Sequence, residues 1–552
     1  MTAKTDLPRP TAVEPQTVPV AETTEQTHAG VALATGVVAA GNIASRVFGL
    51  AREIVLTNRF GAGAAVDAFN IAVIVPRAFY DLLIGGHVNS ALVPVLSEAA
   101  AREGEKAFWQ LVSVLFSFVT VVVSGLVLIL VTFAPQVIEV VAGSDSPAVT
   151  LSLATRLLRL TAPALVFLSL FAVFSGTLYA LRSFSYPAFA GAIFNAAIVV
   201  VTLIAARWIG ITAAAWGWLI GSVAQFALQL PGLKLSHLRF TLQWNHPGLR
   251  QIARLYAPVM FSLIVDTLVI RLFSYRLANS VGEGSISYMT WATTLIQFPH
   301  GLVATAISIA ILPTLSRQAA ASLHDLSTRD GHITDFKNTL SLGLRLAMVL
   351  ILPATFGLFA LATPIIQVLF EHGAFKPHDT VMTAWALRLY LIGLPFATLD
   401  LLLVYAFYAW QDTVTPAIVG VLSLTTYMIL AVILIPQYGL FSLMIADSAK
   451  HLIHACVSAY LLSRKINGLE IGRLGVTTLK GGIAALVMAL IGAWLAGVLA
   501  VRFPSEAFLV EFGRLSLVGA VCLTVFGIGM YLLRVEELRW LFTLIRSRLK
   551  RG

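Results

Sequence analysis

The sequence predicts an all-α protein that crosses a membrane many times, and two observations lead to this fold class. Apolar residues make up 58% of the 552 positions, whereas Asp, Glu, Lys and Arg together make up 12%, about half their share in an ordinary soluble domain. Apolar stretches much longer than a β-strand recur from residue 31 onward. So few charges cannot coat a soluble chain of this length, which excludes a cytosolic enzyme, a nucleic-acid-binding protein and a disordered protein.

The predicted elements follow in order along the chain. Residues 1–30 are rich in Thr, Pro and Glu and contain no apolar run, so we expect a disordered cytoplasmic tail. Beyond it, a helix needs about 20 apolar residues to cross the hydrocarbon core. The sequence predicts about fourteen transmembrane helices, over residues 31–57, 66–96, 108–133, 152–181, 186–207, 210–231, 252–278, 285–314, 338–362, 381–409, 414–435, 438–462, 476–501 and 512–533.

Basic residues are distributed unequally between alternate connections. The richer connections hold Arg102, Lys106, Arg182, Lys234, Arg239, Arg250, Arg317, Arg329, Lys337, Arg464, Lys465 and Arg473, and the C-terminal tail is also basic. Cytoplasmic loops carry this excess. Both termini are therefore predicted to be cytoplasmic. The net charge of +10 is attributed to basic residues in cytoplasmic loops, and no nucleic-acid partner is predicted.

An internal repeat divides the chain. At an offset of 229, residues 158–160 and 387–389 both read Leu-Arg-Leu, and further matches follow at the same offset. Two parallel repeats with the substrate site between them are a transporter architecture. We therefore expect an N-terminal six-helix half at 31–233, a C-terminal six-helix half at 234–465, and two additional helices with a basic cytoplasmic tail at 466–552.

Ionisable side chains inside the first two spans are candidate site residues, because a charge in lipid is costly. Arg46 and Arg52 lie in the first span, and Asp67 and Arg77 lie on one face of the second. We predict that these four residues line a solvated cavity between the halves and bind the substrate. The alternative is a set of structural salt bridges. Arginine pairs bidentately with phosphate, so phosphate-bearing cargo is the physical expectation.

The second span also contains Pro76 and the pair Gly85 and Gly86. Proline removes a helical hydrogen bond and glycine weakens a helix, so this span is expected to bend or break. A break beside buried charges fits a gate, which makes Gly85 and Gly86 candidate gating residues. The alternative is the ordinary tolerance of membrane helices for both residue types.

Two carboxylates of the second half are candidates for a sodium site. Asp266 lies in the seventh span and Asp412 at the start of the eleventh. A hard cation needs oxygen ligands, to which a hydroxyl such as that of Thr425 would add. Alternatively, Asp266 pairs with Arg271 and Asp412 caps the eleventh helix. No cofactor is predicted, and the two cysteines give no metal pattern.

Other polar residues in the spans are expected to be structural. Asp447, Lys450, His451 and His454 are spaced for a local network on the twelfth helix, and His300 is expected to bond to the backbone. The sequence contains no DxD, HExxH, GxSxG or P-loop motif. The chain is therefore predicted to be a transporter and not an enzyme.

Four groups of motifs resemble those of one family. They are SRVFGLARE at 45–53, FGAG at 60–63 with DAF at 67–69, QFPHG at 297–301 with ILPTLS at 311–316, and FYAWQDT at 407–413 with TP at 415–416. Together they resemble the MurJ (MviN) lipid II flippases of the multidrug/oligosaccharidyl-lipid/polysaccharide exporter superfamily. The resemblance extends from residue 31 to about residue 540.

This resemblance implies a function. Members of the family move lipid II, an undecaprenyl-diphosphate-linked peptidoglycan precursor, from the inner to the outer leaflet of the bacterial cytoplasmic membrane by alternating access. The membrane potential and, in some members, a sodium ion drive the cycle. The cavity arginines hold the diphosphate, and Arg46, Arg52 and Asp67 match functional positions. The implied partners are lipid II, the bilayer and enzymes of cell-wall synthesis.

The sequence departs from the family pattern at three places. Where the family has Arg-Arg, Glu and Asp-Arg, this chain has Tyr80 and Asp81, Gly85, and Thr293 and Thr294. Arg77 would restore some of the missing charge. Two alternatives to a lipid II flippase are a flippase for another polyprenyl-diphosphate-linked glycan and a non-transporting scaffold of cell-wall synthesis. A drug antiporter fits less well, because an organic cation prefers a carboxylate-rich cavity.

Overall fold

The computed structural model describes residues 24–537, except 85–86, 103, 144–145, 234, 255–268, 325–328 and 505–506. Within those ranges the chain is helical and has no β-strand. The helices of the first repeat are α1 Thr24–Phe60, α2 Ala64–Ile84, α3 His87–Arg102, α4 Gly104–Thr132, α5 Ala134–Ala142, α6 Ala148–Thr161, α7 Ala164–Ala180, α8 Ser185–Ile209 and α9 Thr212–Ala227.

The second repeat and the C-terminal helices follow. They are α10 Ile270–Val281, α11 Ser285–His324, α12 Arg329–Ala360, α13 Ala362–Phe370, α14 Pro377–Ala409, α15 Val414–Tyr438, α16 Phe441–Lys465, α17 Ile471–Arg502 and α18 Phe508–Leu532. Two short 3-10 turns, Leu230–Gly232 and Leu235–His237, lie between the repeats.

The helix bounds follow the sequence repeat. The first residues of α8 and α15 are 229 positions apart, and so are their last residues. Helices α9 and α16 also begin 229 positions apart. The pair α6–α7 covers the same repeat positions as the single helix α14. The pair is bent by 41° where Pro163 interrupts the helix, because proline has no amide hydrogen to donate.

The span boundaries differ from the sequence prediction in several places. The predicted span 66–96 is covered by α2 and α3, on either side of residues 85–86, and its repeat counterpart is α11, a helix of 40 residues. Helix α1 begins at Thr24, inside the predicted disordered tail. Eight helices among the described residues are long and apolar enough to span a membrane, or nine with the bent pair. The all-helical membrane fold is confirmed, and the count of fourteen stays a prediction.

The apolar core is organised differently at the two ends of the bundle. We call the end with the α1–α2 loop (residues 61–63) and the α13–α14 loop (residues 371–376) the closed end. There, one hydrophobic core is shared by helices of both repeats. At the opposite, open end, the first repeat has a separate core between α3, α4 and α7, and the second has another between α11, α12, α14 and α16. In the described part of the chain, the two repeats therefore share an apolar core at the closed end and have separate cores at the open end.

Candidate functional site

The loops at the closed end contact each other through their backbones. The amide of Ala374 donates to the carbonyl of Asn58 over 2.9 Å. Gly61 and Gly373 have φ of +61° and +67°, a region that favours glycine. A Cβ atom added at Gly61 would lie 2.5 Å from the Ala374 carbonyl oxygen, and one at Gly373 would lie 2.3 Å from that of Asn58. The close approach of the two repeats therefore requires both glycines.

Asp67, a predicted site residue, links the two repeats directly. Its carboxylate lies in the first turn of α2, is 2% exposed, and accepts hydrogen bonds from the Gly284 amide at 2.6 Å, the Ser287 amide at 3.0 Å and the Ser287 hydroxyl at 2.6 Å. The first amides of a helix have no partner within the helix. Asp67 therefore acts as an N-cap for α11 that comes from the other repeat.

A second carboxylate lies beside this contact. The hydroxyl of Tyr288 donates to Asp379 over 2.7 Å, and Asp379 also accepts from the Lys376 amide at 2.9 Å. Asp379 thereby caps α14 and holds the first turn of α11. Asp379 is not among the site residues predicted from the sequence, although the Lys-Pro-His-Asp run at 376–379 is a helix start signal.

Arg46 contacts the second repeat about a third of the way along α11. Its Nη1 donates to the Gln297 carbonyl over 2.8 Å. A Cβ atom added at Gly301 would lie 2.2 Å from Arg46 Nη2, so the guanidinium lies directly on this glycine. The Gln-Phe-Pro-His-Gly motif thus provides both the acceptor and the space for Arg46. The side chain is half-buried at the boundary between the repeats.

Arg52 lies within the first repeat. Its guanidinium forms an ion pair with Glu53, with Nη2 2.5 Å from Oε1, and Nη1 donates to the Asn195 side chain on α8 over 2.9 Å. The Arg52 and Glu53 side chains are 14% and 5% exposed. This geometry gives Arg52 a structural role between α1 and α8, and its role in substrate binding stays a prediction.

The remaining predicted site residues are placed as follows. Arg77 is half-buried on α2. Gly85, Gly86 and Asp266 lie outside the described residues, so the predicted gate and sodium site are not described. Asp412 precedes α15 and accepts from the Thr415 amide at 3.0 Å and from Lys465 at 2.6 Å.

The electrostatics of Asp412 follow from these contacts. Burial raises the pKa of its carboxyl, but the hydrogen bonds from Lys465 and Thr415 outweigh that effect and hold the pKa below its usual value. Both of its oxygens have partners. This arrangement favours the capping role over cation ligation.

Two of the departures from the family pattern, Thr293 and Thr294, are uncharged residues. Thr293 donates its hydroxyl to the Met289 carbonyl at 2.9 Å, and Thr294 donates to the Thr290 carbonyl at 2.9 Å. Both hydroxyls therefore donate their hydrogen bonds to carbonyl groups of their own helix. Arg46 lies near these threonines at the boundary between the repeats. It contacts Gln297 and Gly301, which follow Thr294 by one to two helical turns of α11.

Comparisons with known proteins give one family. The family model described as "Lipid II flippase MurJ" matches residues 56–511. A protein named "Lipid II flippase MurJ" from Burkholderia cenocepacia is 31% identical over 427 residues, which are 76% of this chain and 80% of that protein.

Solved structures show the same fold. A structure of "Lipid II flippase MurJ, inward closed conformation" has a TM-score of 0.72 at 24% identity and covers 90% of this chain and 98% of its own. An inward-facing multidrug resistance MATE family transporter of the MOP superfamily has a TM-score of 0.64 at 14% identity and covers 77% and 94%. At these identities the likeness establishes the fold alone.

Proposed function

This chain belongs to the lipid II flippase MurJ family, and we propose from that membership that it moves lipid II between the leaflets of a bacterial cytoplasmic membrane. It is a multi-pass membrane protein and a transporter, not an enzyme. The observation that supports the proposal most directly is that the described parts of the two repeats share a core at one end of the bundle and have separate cores at the other. A shared core and the Asp67 cap join them at the closed end, while each repeat has its own core at the open end.

The open end faces the cytoplasm in this proposal. Basic residues lie at the described helix ends on that side, Arg102 of α3, Arg329 of α12 and Lys465 of α16, and Arg182 follows α7. Cytoplasmic segments carry the excess of Lys and Arg. An opening on this side receives cargo from the inner leaflet. Alternating access then requires the repeats, 31–233 and 234–465, to separate at the closed end and meet at the other.

Arg46 is the proposed contact for the diphosphate. Its guanidinium bonds to a backbone carbonyl, an acceptor that a phosphate oxygen replaces with a stronger, charge-assisted partner. Asp67 acts in this proposal through the closed end, by holding α11. Arg52 and Arg77 add positive charge on the same two helices, and the Arg52–Glu53 pair limits the net contribution of Arg52.

The apolar chain of the cargo has a matching surface. A mostly apolar cavity lies between α12, α14 and α16 and the start of α17. Its lining includes Leu344, Leu399, Leu403 and Leu474. This surface connects the second repeat with the segment 466–552, whose helices are proposed to shield a polyprenyl chain from the polar cavity.

Complementation tests the proposal. A bacterium depleted of its own lipid II flippase should grow when this chain is expressed, and purified chain in liposomes should move lipid II. Failure of both assays at normal membrane abundance would contradict the proposal and would favour the scaffold. Movement of a different polyprenyl-diphosphate glycan in place of lipid II would support the alternative cargo, which the uncharged Thr293 and Thr294 favour.

Arg52 variants separate substrate binding from ion pairing. If Arg52 only neutralises Glu53, the double variant Arg52→Gln, Glu53→Gln retains transport. If it also holds the diphosphate, the double variant loses roughly ten- to a hundred-fold in apparent affinity, the value of one buried charge-assisted bond. The comparison is made at matched membrane abundance.

A further inference from the structure

A cluster of ionisable side chains lies in the interior of the second repeat. Asp400 is on α14 and His454 is on α16, each about ten residues from the helix end, roughly 15 Å along the helix. Oδ1 of Asp400 contacts Nδ1 of His454, and the side chains are 16% and 12% exposed. Charged groups at this depth are costly and mark functional sites by default.

The Asp400 carboxylate has fewer hydrogen-bond donors than the buried carboxylate of Asp67. Asp67 accepts three well-aligned hydrogen bonds, whereas Oδ1 of Asp400 is buried and has no well-aligned donor among the described residues. Nδ1 of His454 is also 3.3 Å from the Ser458 hydroxyl. A proton at this ring nitrogen therefore has two acceptors, and a proton on the carboxyl has the ring as acceptor.

Other charged and titratable groups face this pair from each neighbouring helix. His300 on α11 and His451 on α16 are within electrostatic range of Asp400, and His300 is within range of Arg46 on α1. Asp447 is neutralised by Lys450 at 2.6 Å. Tyr408 on α14 is also within electrostatic range of Asp400, and Tyr427 on α15 is within range of Asp447.

A proton fits this cluster better than a metal cation. Sodium or calcium needs several oxygen ligands, but Asp447 is occupied by Lys450, and His451 is 3.7 Å from the same carboxylate. Within the described part of the chain, no group of three or more His, Cys, Asp and Glu side chains is arranged to hold a metal. Chains of Asp and His are the usual proton carriers inside membrane proteins.

We propose that the Asp400–His454 pair is a proton-binding site and that His300 connects its charge to Arg46 at the boundary between the repeats. With neutral imidazole and ionised carboxyl the pair carries one negative charge. Uptake of one proton from water makes it neutral, and release returns the charge. The charged pair attracts Arg46 toward α11, and the neutral pair does not, so protonation frees Arg46. That last step rests on the proposed function, whereas proton binding itself does not.

Infrared difference spectroscopy on the full chain in lipid nanodiscs tests the site without any transport assay. Across the pH range in which the protein stays folded, the wild type should show a carboxyl band that changes with pH. Carbon-13 labelling of aspartate should shift that band, and Asp400→Asn should remove it. His454→Gln should move its midpoint, and His378→Gln, at an exposed position, should change neither.

Labelling assigns the band to an aspartate, and its loss in Asp400→Asn assigns it to this residue. The midpoint moved by His454→Gln tests the same assignment without replacing the carboxyl, so the proposal stays testable if the Asn variant folds poorly. The proposal is overturned if no band that titrates in this range shifts with labelled aspartate, or if the spectra of the wild type and a folded Asp400→Asn protein coincide. A band that is present in a chain that fails to move lipid II would leave the proton site standing and remove the proposed function.

Discussion

Removing the Asp67 carboxylate should open the closed end without unfolding either repeat. Asp67→Ala deletes three hydrogen bonds and leaves the Gly284 and Ser287 amides at the start of α11 without their acceptor. These groups regain water only when the two repeats separate. The substitution therefore penalises the joined state, and each repeat keeps the separate core that holds it together at the other end.

The size of the effect follows from the contact. A hydrogen bond to a charged group contributes about 1.5–3 kcal/mol net, and loss of an N-cap costs about 0.5–2 kcal/mol. Because both values describe the same buried carboxylate, we expect about 2–3 kcal/mol in total, a roughly 30- to 150-fold loss of the joined population. Ser287→Ala removes one hydroxyl bond and should cost about 1 kcal/mol, or roughly fivefold.

A disulfide across the closed end measures this population. The backbones of Asn58 and Ala374 are hydrogen-bonded, which brings their Cα atoms within disulfide range. In a chain with Cys456 and Cys522 replaced by alanine, the pair Asn58→Cys, Ala374→Cys should oxidise readily. Adding Asp67→Ala should slow cross-linking by the factor given above.

The control for this assay is an exposed carboxylate on α3. Glu98 is 45% exposed and pairs only with Arg102 among its described ion pairs, so Glu98→Gln should leave the cross-linking rate unchanged. An unchanged rate in Asp67→Ala, with normal abundance and monodisperse protein, would refute the claim that this carboxylate holds the repeats together.

Three further predictions concern single contacts. Gly301→Ala places a methyl group on the Arg46 guanidinium, so the protein should reach normal abundance but lose complementing activity. Asp412→Asn should lower the thermal midpoint at about pH 7 by the equivalent of at most about 1 kcal/mol. Because the folded-state pKa of Asp412 is depressed, that difference is present above the unfolded pKa and should vanish as pH falls below about 4. Glu537→Ala removes a buried carboxylate, leaves the half-buried Arg345, now 2.8 Å from it, without that partner, and should cost about 3–5 kcal/mol in stability.

Each of these predictions has its own contrary result. Gly497→Ala, where an added Cβ meets nothing within 4 Å, should be silent, and equal activity of both glycine variants would contradict the Arg46 contact. A stability loss in Asp412→Asn that persists in acid would show that the ion pair is not its origin. If Arg345→Met together with Glu537→Leu is no more stable than Glu537→Ala, the destabilisation does not come from an unpaired charge.

The repeat and most long helices could be predicted because their signals are local or periodic. An offset of 229 in sequence reappears in the bounds of α8 and α15. The nine-residue helices α5 and α13 could not be predicted, since each is shorter than a span and its apolar pattern merges with the preceding helix. The break between α6 and α7 carried a signal, Pro163, that hydropathy alone does not use.

The sequence identifies Arg46 and Asp67 as candidate site residues but does not predict which groups they contact. Arg46 and Asp67 were selected because charges in apolar spans are costly, and both do lie at the boundary between the repeats. Their partners are backbone groups and the Ser287 hydroxyl, all more than 200 residues away, which no spacing rule identifies. Asp400 was overlooked although the same cost argument applies to it, because its partner His454 is on another helix and each residue alone is compatible with a local role.

The two kinds of contact at the closed end should behave differently during opening. Hydrogen bonds are short and directional, so the Asp67 cap and the Asn58–Ala374 bond are lost after a small separation. Apolar contact falls with the area exposed and is lost gradually. The polar contacts therefore form the steep part of the barrier, and the shared core forms the broad part. Because every repeat retains its own core, weakening the polar contacts should change the rate of opening at the closed end far more than the stability of the folded chain.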